Sequence, residues 1–307
     1  MKMPVLPLFR YSSRSLLLAA VLTAAVLGGA GCSSSGASAD PSSSSPPASS
    51  AATPQPSPSP EQSEAVKALK QAETAAKSLK NYYFKMDLTQ HLTGESADSN
   101  SNVTVNSNGR VETSPLKLDQ QVKSVIDEDT YDLRAILTPD AYYMYDKDLE
   151  GWSRTTKSDT AEMVKTLSDF QVDPDQALLD VQALGDGLRL EGDKITFEGN
   201  GAEAKAFLEK VLESTLGLSG LEQKVQDSIK LGSLKVEIVL DPVKRWPTSY
   251  RIDSTMTIEY EAGKPSTLKQ TFWGTYSKPN AAEPVVVPAA AKDAPEIDSD
   301  VSGDDSE

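Results

Sequence analysis

The sequence predicts an α+β fold built around an antiparallel sheet, and three observations support this class. Long runs alternate apolar and polar residues, as half-buried strands do, and the clearest of them begin at Phe84, Leu234 and Tyr250. Turn residues such as Asp241-Pro242 and Ala262-Gly263 separate these runs. The helical patterns are grouped together instead of alternating with the strands, which favours antiparallel pairing.

Capping residues and helical spacing predict three helices. The first begins at Ser59-Pro60-Glu61-Gln62, which offers a cap, a proline at the first helical position and a capping-box glutamine. The second begins at Asp173-Pro174-Asp175-Gln176 and ends near Gly185, and the third runs from about Ala202 to Leu216. The apolar residues at helical spacing are Val66, Leu69, Ala72, Ala76 and Leu79 in the first helix, Phe207, Leu208, Val211 and Leu212 in the third, and Met163, Leu167 and Phe170 before the second.

Period-two alternation predicts the strands in more detail. In the run 82–92, Phe84, Met86, Leu88 and Leu92 share one face. The Asn108-Gly109 pair is expected to mark a bend or a hairpin turn. Further strands are expected around 116–122, 132–137 and 141–145, and a short hairpin within 188–199. The last three runs carry their apolar residues at Leu234, Val236, Ile238 and Leu240, at Tyr250, Ile252, Met256, Ile258 and Tyr260, and at Leu268, Phe272 and Tyr276.

The first 31 residues have the pattern of an export signal. Lys2, Arg10 and Arg14 precede an apolar run from Leu16 to Ala30, and this part contains no acidic residue. The apolar run is shorter than the roughly 20 residues that a membrane-spanning helix needs. It ends in the small residues that a signal peptidase accepts, directly before Cys32.

Cys32 is the only cysteine in the sequence, so no disulfide can form within the chain. The stretch around it resembles the bacterial lipobox, in which the cysteine thiol receives diacylglycerol and palmitate-type acyl chains; Gly29 stands where that motif usually has leucine. We therefore expect residues 1–31 to be removed and Cys32 to anchor the protein to the extracytoplasmic face of the cell membrane. An ordinary secretory signal followed by a chance cysteine is the alternative.

Composition divides the rest of the chain into three parts. Residues 32–60 are almost entirely Ser, Pro and Ala, which predicts a disordered linker with a reach of roughly 30 to 90 Å. Residues 61–288 are expected to form one domain. Residues 289–307 are acidic and poor in large apolar residues, which predicts a disordered tail, with an interaction tail as the alternative.

Charge and residue types exclude several classes of function. Removal of the signal takes away three positive charges and changes the net charge from −15 to −18, so the net charge does not favour nucleic acid. His91, the only histidine, lies on the polar face of its predicted strand without a catalytic motif around it. The Asp127-Glu128-Asp129 run lacks the spacing of a calcium loop and is expected to be a solvated turn. We expect no enzyme, no cofactor and no metal site.

Three segments resemble a known group of proteins: LKNYYFKMDL, VEIVLDPVKRWPTSYRIDSTMTIEY and TYSKPNAAEPVVVPAAAKDA. With Asp241-Pro242 followed by Pro247, and Tyr276 followed by Asn280 and Val287-Pro288, the chain looks like a member of the LolA-like superfamily, near the LppX and LprG type of Gram-positive lipoprotein. The resemblance implies an incomplete antiparallel barrel whose concave side is covered by helices. It also implies a cavity that holds acyl chains in several members, and no catalytic residues.

Two functions follow as hypotheses. In the first, a lipid or another apolar ligand binds between the sheet and the helices. In the second, the core is filled and the protein is a structural lipoprotein that contacts a protein partner in the envelope. The residues predicted to line the cavity of the first hypothesis are Phe84, Met86, Leu88, Ile252, Met256, Ile258 and Phe272.

Overall fold

A single open sheet organises the protein in the computed structural model, which describes residues 60–95, 99–147, 150–155, 173–216, 221–261 and 263–297. The spatial order of its strands is β12-β6-β5-β4-β3-β2-β1-β11-β10-β9-β8-β7, and all neighbours are antiparallel except β12 and β6. The strands are β1 (Asn81–Thr93), β2 (Ser101–Thr113), β3 (Leu116–Ile126), β4 (Asp129–Leu137), β5 (Tyr142–Asp146), β6 (Gly151–Thr155), β7 (Arg189–Glu191), β8 (Lys194–Gly199), β9 (Lys230–Leu240), β10 (Pro247–Glu261), β11 (Lys264–Ser277) and β12 (Glu296–Ile297).

Four helices pack on the concave side of this curved sheet: α1 (Pro60–Ala76), α2 (Pro174–Gln182), α3 (Ala202–Leu216) and α4 (Gln223–Ser228), with a 3₁₀ turn at Gly185–Gly187. A short fifth helix, α5 (Ala289–Lys292), follows the last long strand and lies apart from these four, against β5 and β6. Apolar residues of α1, α2 and α3 share one buried cluster with β1, β9, β10 and β11. The predicted α+β fold, with an antiparallel sheet that stays open and helices on one side, is confirmed. We call the helix-covered side of the sheet the inner face and the opposite side the outer face.

The helix starts follow the predicted capping chemistry where the structure describes it. The Asp173 carboxylate accepts a hydrogen bond from the Asp175 backbone N–H at 2.9 Å, and Pro174 occupies the first turn of α2. In α1 the buried stripe consists mainly of alanines, while Val66 is only half-buried. Small side chains allow the α1 backbone to lie close to α2 and β7. The predicted helical face at Met163, Leu167 and Phe170 lies outside the described residues, as do residues 1–59.

The predicted turn at Asn108-Gly109 is wrong, because β2 continues through both residues. Gly109 pairs with Phe84 of β1 and with Gln120 of β3, and the turn comes later, at Ser114-Pro115. A Cβ atom on residue 109 would lie 2.9 Å from the Phe84 ring and would overlap the Asp119 carbonyl. Glycine is therefore present here to admit the ring and the neighbouring strand, a role that the local sequence does not distinguish from a turn.

The chain after β11 crosses the outer face as an extended strap, which we define as residues 278–297. The Asn280 side-chain oxygen accepts from the Lys80 backbone N–H at 2.6 Å, and the Val285 N–H donates to the Glu112 carboxylate at 2.6 Å. The strap ends with α5 and with β12, which pairs with β6. Nine residues of the segment predicted as a disordered tail, 289–297, thus belong to regular elements or the link between them. Residues 298–307 lie outside the described residues.

Beneath the strap, the outer face contains a charged cluster around Asp119. The Asp119 carboxylate accepts from Arg134 Nε at 3.0 Å and Arg134 Nη2 at 3.1 Å, and from Arg110 Nη2 at 2.9 Å. Arg110 also lies 3.5 Å from Glu283 of the strap. A bidentate, largely buried carboxylate of this kind joins β2, β3 and β4 and contacts the strap through Arg110.

Replacement of Asp119 with alanine is expected to lower the free energy of unfolding by about 2–3 kcal/mol, since it leaves two partly buried guanidinium groups without their shared acceptor. Chemical denaturation would measure the change. The control is Asp132→Ala, which removes the partner of the exposed Lys147 and should have a much smaller effect. Equal losses in the two variants would contradict a special role for Asp119.

Candidate functional site

The seven residues predicted to line a cavity all lie on the inner face and are all buried, with 0–7 % of their surface exposed. Phe84, Met86 and Leu88 come from β1, Ile252, Met256 and Ile258 from β10, and Phe272 from β11. Strand pairing places Leu88 beside Phe272, and Phe272 beside Ile252. The structure therefore brings the predicted set onto one surface. Its role as the lining of a ligand cavity stays a prediction.

This surface is divided into two apolar clusters. The larger cluster contains Phe84, Met86, Leu88, Ile252 and Phe272 together with residues of α1, α2 and α3. The smaller cluster contains Met256 and Ile258 with Leu268 of β11, and it is covered by residues of α3 and α4: Leu208, Leu212 and Val225. The predicted residues thus belong to two neighbouring parts of the inner face.

A row of polar side chains crosses the inner face between the two clusters. Ser254 of β10 is paired with Gln270 of β11, which is paired with Gln90 of β1. On one side of this row the register places Ile252, Phe272 and Leu88, and on the other side Met256, Leu268 and Leu92. We call Gln90, Gln270 and Ser254 the polar row. It lies where continued alternation would have placed apolar residues.

The polar row is buried and its hydrogen bonding is incomplete. Gln90 and Gln270 are each 2 % exposed and Ser254 is 4 % exposed. Gln90 Nε2 donates to Gln270 Oε1 at 3.1 Å, whereas Gln90 Oε1, Gln270 Nε2 and Ser254 Oγ have no partner. The Ser124 hydroxyl, on β3, is likewise buried without a partner. Buried polar atoms in folded proteins are nearly always paired, so such a concentration calls for a partner that these residues do not supply.

Aromatic side chains close one end of the inner face. Tyr276 packs against Tyr82 with ring centroids 5.8 Å apart, and Tyr250 packs against Phe272 at 5.2 Å. Burial raises the pKa of Tyr82 and of Tyr276 well above the ordinary value for tyrosine. The Tyr276 hydroxyl is a further buried polar group without a partner.

Two hollows lie at the surface of the described residues. One, of about 730 Å³, is an open groove beside α1 with Lys67, Lys70, Lys244 and Arg245 in its lining. The other, of about 430 Å³, is lined mostly by polar outer-face residues such as His91, and Leu234, Ser254 and Gln270 also take part in its lining. Cationic and polar linings suit an apolar ligand poorly. The groove also shows that tertiary structure brings basic residues together although the sequence contains no basic run.

The residues considered for catalysis or metal binding are placed at the surface. His91 is exposed on β1, and its Nδ1 lies 2.6 Å from Asn102 Oδ1. Asp127 stands in the turn between β3 and β4, and its carboxylate accepts from the Asn102 N–H at 2.8 Å, which is a local structural role. Within the described ranges, no three His, Cys, Asp or Glu residues are arranged to hold a metal ion. No helix in the same ranges has the length and hydropathy to cross a membrane.

Sequence reasoning missed the polar row, although a signal was present. On the buried face of β1 and of β10, Gln90 and Ser254 each interrupt a series of apolar residues, and on that of β11 Gln270 does so, beside Ser266 and Gly274. Within a single strand, each of these residues is indistinguishable from an isolated polar side chain accommodated on a buried face. Only the strand register shows that the three are adjacent.

The protein belongs to the α+β class and has an open antiparallel sheet, helices on the concave side of that sheet, and a buried, largely apolar inner face. The chain belongs to a family of unknown function, DUF6612, whose model matches residues 64–296. No curated protein matches the sequence.

The solved structures that resemble the chain include three of low sequence identity. LprF from Mycobacterium bovis is 14% identical with a TM-score of 0.35, and the match covers 77% of this chain and all of LprF. An outer membrane lipoprotein-sorting protein domain from Vibrio parahaemolyticus is 10% identical with a TM-score of 0.21, over 67% of this chain and 91% of that one. A β-barrel-like DUF1849 protein from Brucella abortus is 11% identical with a TM-score of 0.22, over 65% and 99%.

Proposed function

We propose that this protein is a membrane-anchored extracytoplasmic lipoprotein that binds a lipid or another apolar ligand between the inner face of its sheet and the covering helices. Cys32 carries the acyl chains, and the linker 33–60 holds the domain away from the membrane. The ligand contacts the apolar residues on either side of the polar row, including Met86 and Met256, whose unbranched side chains adapt to a flexible chain. The proposal involves no catalytic chemistry.

The observation that carries this proposal is the set of buried polar atoms without partners on the inner face. A close-packed core has few such atoms, because each costs about 1–3 kcal/mol when it loses its hydrogen bonds to water. Four such atoms, buried and without a hydrogen-bond partner, lie on the side chains of Gln90, Gln270, Ser254 and Ser124. A bound molecule between sheet and helices would supply the missing partners.

The second candidate is a structural lipoprotein with a filled core and an envelope protein as its partner. The near-complete burial of Met256 and Ile258 beneath α3 and α4 favours it, because those residues already pack in an apolar cluster. Under this hypothesis the interior holds no lipid and internal water satisfies the polar row.

Native mass spectrometry of the mature chain, purified from its own host and then extracted with organic solvent, separates the two. We expect a bound mass beyond that of the covalent anchor, which disappears on extraction and is recovered as a lipid. The same measurement on chain refolded from denaturant without lipid provides the baseline. A purified protein whose mass equals the acylated chain alone, with no lipid in the extract, would favour the filled core.

A further inference from the structure

We infer that the polar row is the recognition site for an uncharged hydrogen-bonding group on the ligand, so that the ligand is a neutral amphipathic lipid of the acylglycerol class. This inference rests on the proposed function. It goes further than the proposed function because it names the polar row as the part of the inner face that discriminates among apolar ligands. It also names the neutral polar group that the row would bind.

The position of the row suits contact with a polar group in the middle of a ligand. Neighbouring strands lie about 4.8 Å apart, so Ser254, Gln270 and Gln90 span roughly 10 Å across β10, β11 and β1. Apolar residues flank the row on both sides, with Leu268 before it and Phe272 after it along β11. A molecule lying along the strands would contact apolar surface at both ends and the polar row between them.

The unpaired atoms of the row match an ester and a hydroxyl group. The one hydrogen bond between Gln90 and Gln270 leaves a carboxamide oxygen on one and an amide N–H on the other. The free N–H can donate to an ester carbonyl, and the free oxygen can accept from a hydroxyl. This pairing is unchanged if both amides are assigned in the opposite orientation. The Ser254 hydroxyl can do either.

The row does not match a charged group. Gln90, Gln270 and Ser254 do not ionise, and a carboxylate or phosphate buried beside them would lack a counter-charge, which is costly in an apolar interior. The acidic side chain buried near the covering helices, Asp180, is already paired with Gln176 at 3.0 Å and lies 3.4 Å from Lys210. A hydrocarbon without polar atoms would leave the row unsatisfied. Of the charged, purely hydrocarbon and neutral amphipathic ligands, the neutral amphipathic ligand is the one whose groups match the row.

The test uses residues 33–307, the mature chain without its anchoring cysteine, freed of bound lipid, with three probes of equal chain length: 1-monodecanoylglycerol, decanoate and n-decane. Binding is measured by displacement of an environment-sensitive dye. We expect the wild type to bind the glyceride about ten-fold more tightly than either other probe, as one or two hydrogen bonds would provide. In Gln90→Met/Gln270→Met, which preserves side-chain volume, this preference should largely vanish through weaker glyceride binding, with decane affinity unchanged.

Two further variants keep the result interpretable. Gln121→Met on the outer face of β3 is the matched control and should keep the preference. Ser254→Ala tests the row again should the double variant fail to fold, and we expect it to reduce the preference. The lipid-free double variant should melt no lower than the wild type, because removal of both amides also removes unpaired buried groups.

The outcomes separate this inference from the proposed function. Equal binding of glyceride and decane by the wild type, tighter binding of decanoate, or an unchanged preference in both row variants would overturn the inference while leaving an apolar-ligand carrier. The row would then hold internal water. Binding of none of the three probes would overturn the proposed function as well.

Discussion

Replacement of Cys32 with serine is expected to abolish lipid attachment and to move the protein from the membrane fraction to the soluble fraction, or to leave an uncleaved precursor. Serine keeps the size of the side chain but removes the thiolate, the nucleophile to which the acyl-bearing group is transferred. Because two or three acyl chains hold a protein firmly, at about 0.8 kcal/mol for each buried methylene, the loss should be nearly complete. Metabolic labelling with a palmitate analogue, followed by fractionation, measures it.

Ser34→Ala, two residues away in the same linker, is the control and should be labelled like the wild type. Cys32 and its surroundings lie outside the described residues, so this prediction rests on the sequence pattern alone. Persistent labelling of the Cys32→Ser protein would rule out Cys32 as the anchor. Secretion of an unlabelled wild type would instead support an ordinary signal peptide.

Met256→Glu is expected to destabilise the lipid-free protein by roughly 3 kcal/mol or more, since it places a carboxylate among the buried apolar residues of the smaller cluster. Met256 is 1 % exposed and packs with Ile258 and Leu268 beneath α3 and α4. For a domain of this size, such a change corresponds to a fall in melting temperature of about 10 °C. Calorimetry of the variant and the wild type measures it.

Two controls isolate the effect of charge from that of position. Met256→Gln changes the same site without a charge and should cost less. Thr257→Glu places the carboxylate on the outer face of the same strand, beside Lys230 in the register, and should leave the melting temperature nearly unchanged. The same Met256→Glu sample should also lose co-purified lipid. A variant that melts like the wild type would show that the smaller cluster is not close-packed.

Local periodicity carried most of the fold prediction. The strands that contain Phe84, Val236, Ile252 and Phe272 were predicted because alternating side chains must point to opposite faces, a property of each strand by itself. Helix starts such as Asp173-Pro174 were predictable for the same reason, since the capping hydrogen bond joins residues close in sequence. The Asn108-Gly109 turn failed because a glycine that admits a ring from the next strand leaves the same local pattern as a turn glycine.

The candidate site was predictable only in part. Parity along each strand identified the buried apolar residues, including Met86 and Met256, and correctly placed them on one face. It could not show that Met256 belongs to a separate cluster under α3 and α4, because that depends on how far along the sheet each helix lies. It also could not show the short helix α4, of which Val225 is the one buried residue.

The class of fold and the inner apolar surface were predictable, and Cys32 was identified as the expected anchor, because each depends on the order of residues over short distances. The identity of distant neighbours became visible in the folded structure alone. Gln90 and Gln270 are 180 positions apart and form one hydrogen-bonded pair, and Arg110 lies against Glu283 of the strap. Strand register and chain crossing set these contacts, and both arise from the packing of the whole sheet. The polar row, from which we infer the ligand's chemistry, is such a product of register.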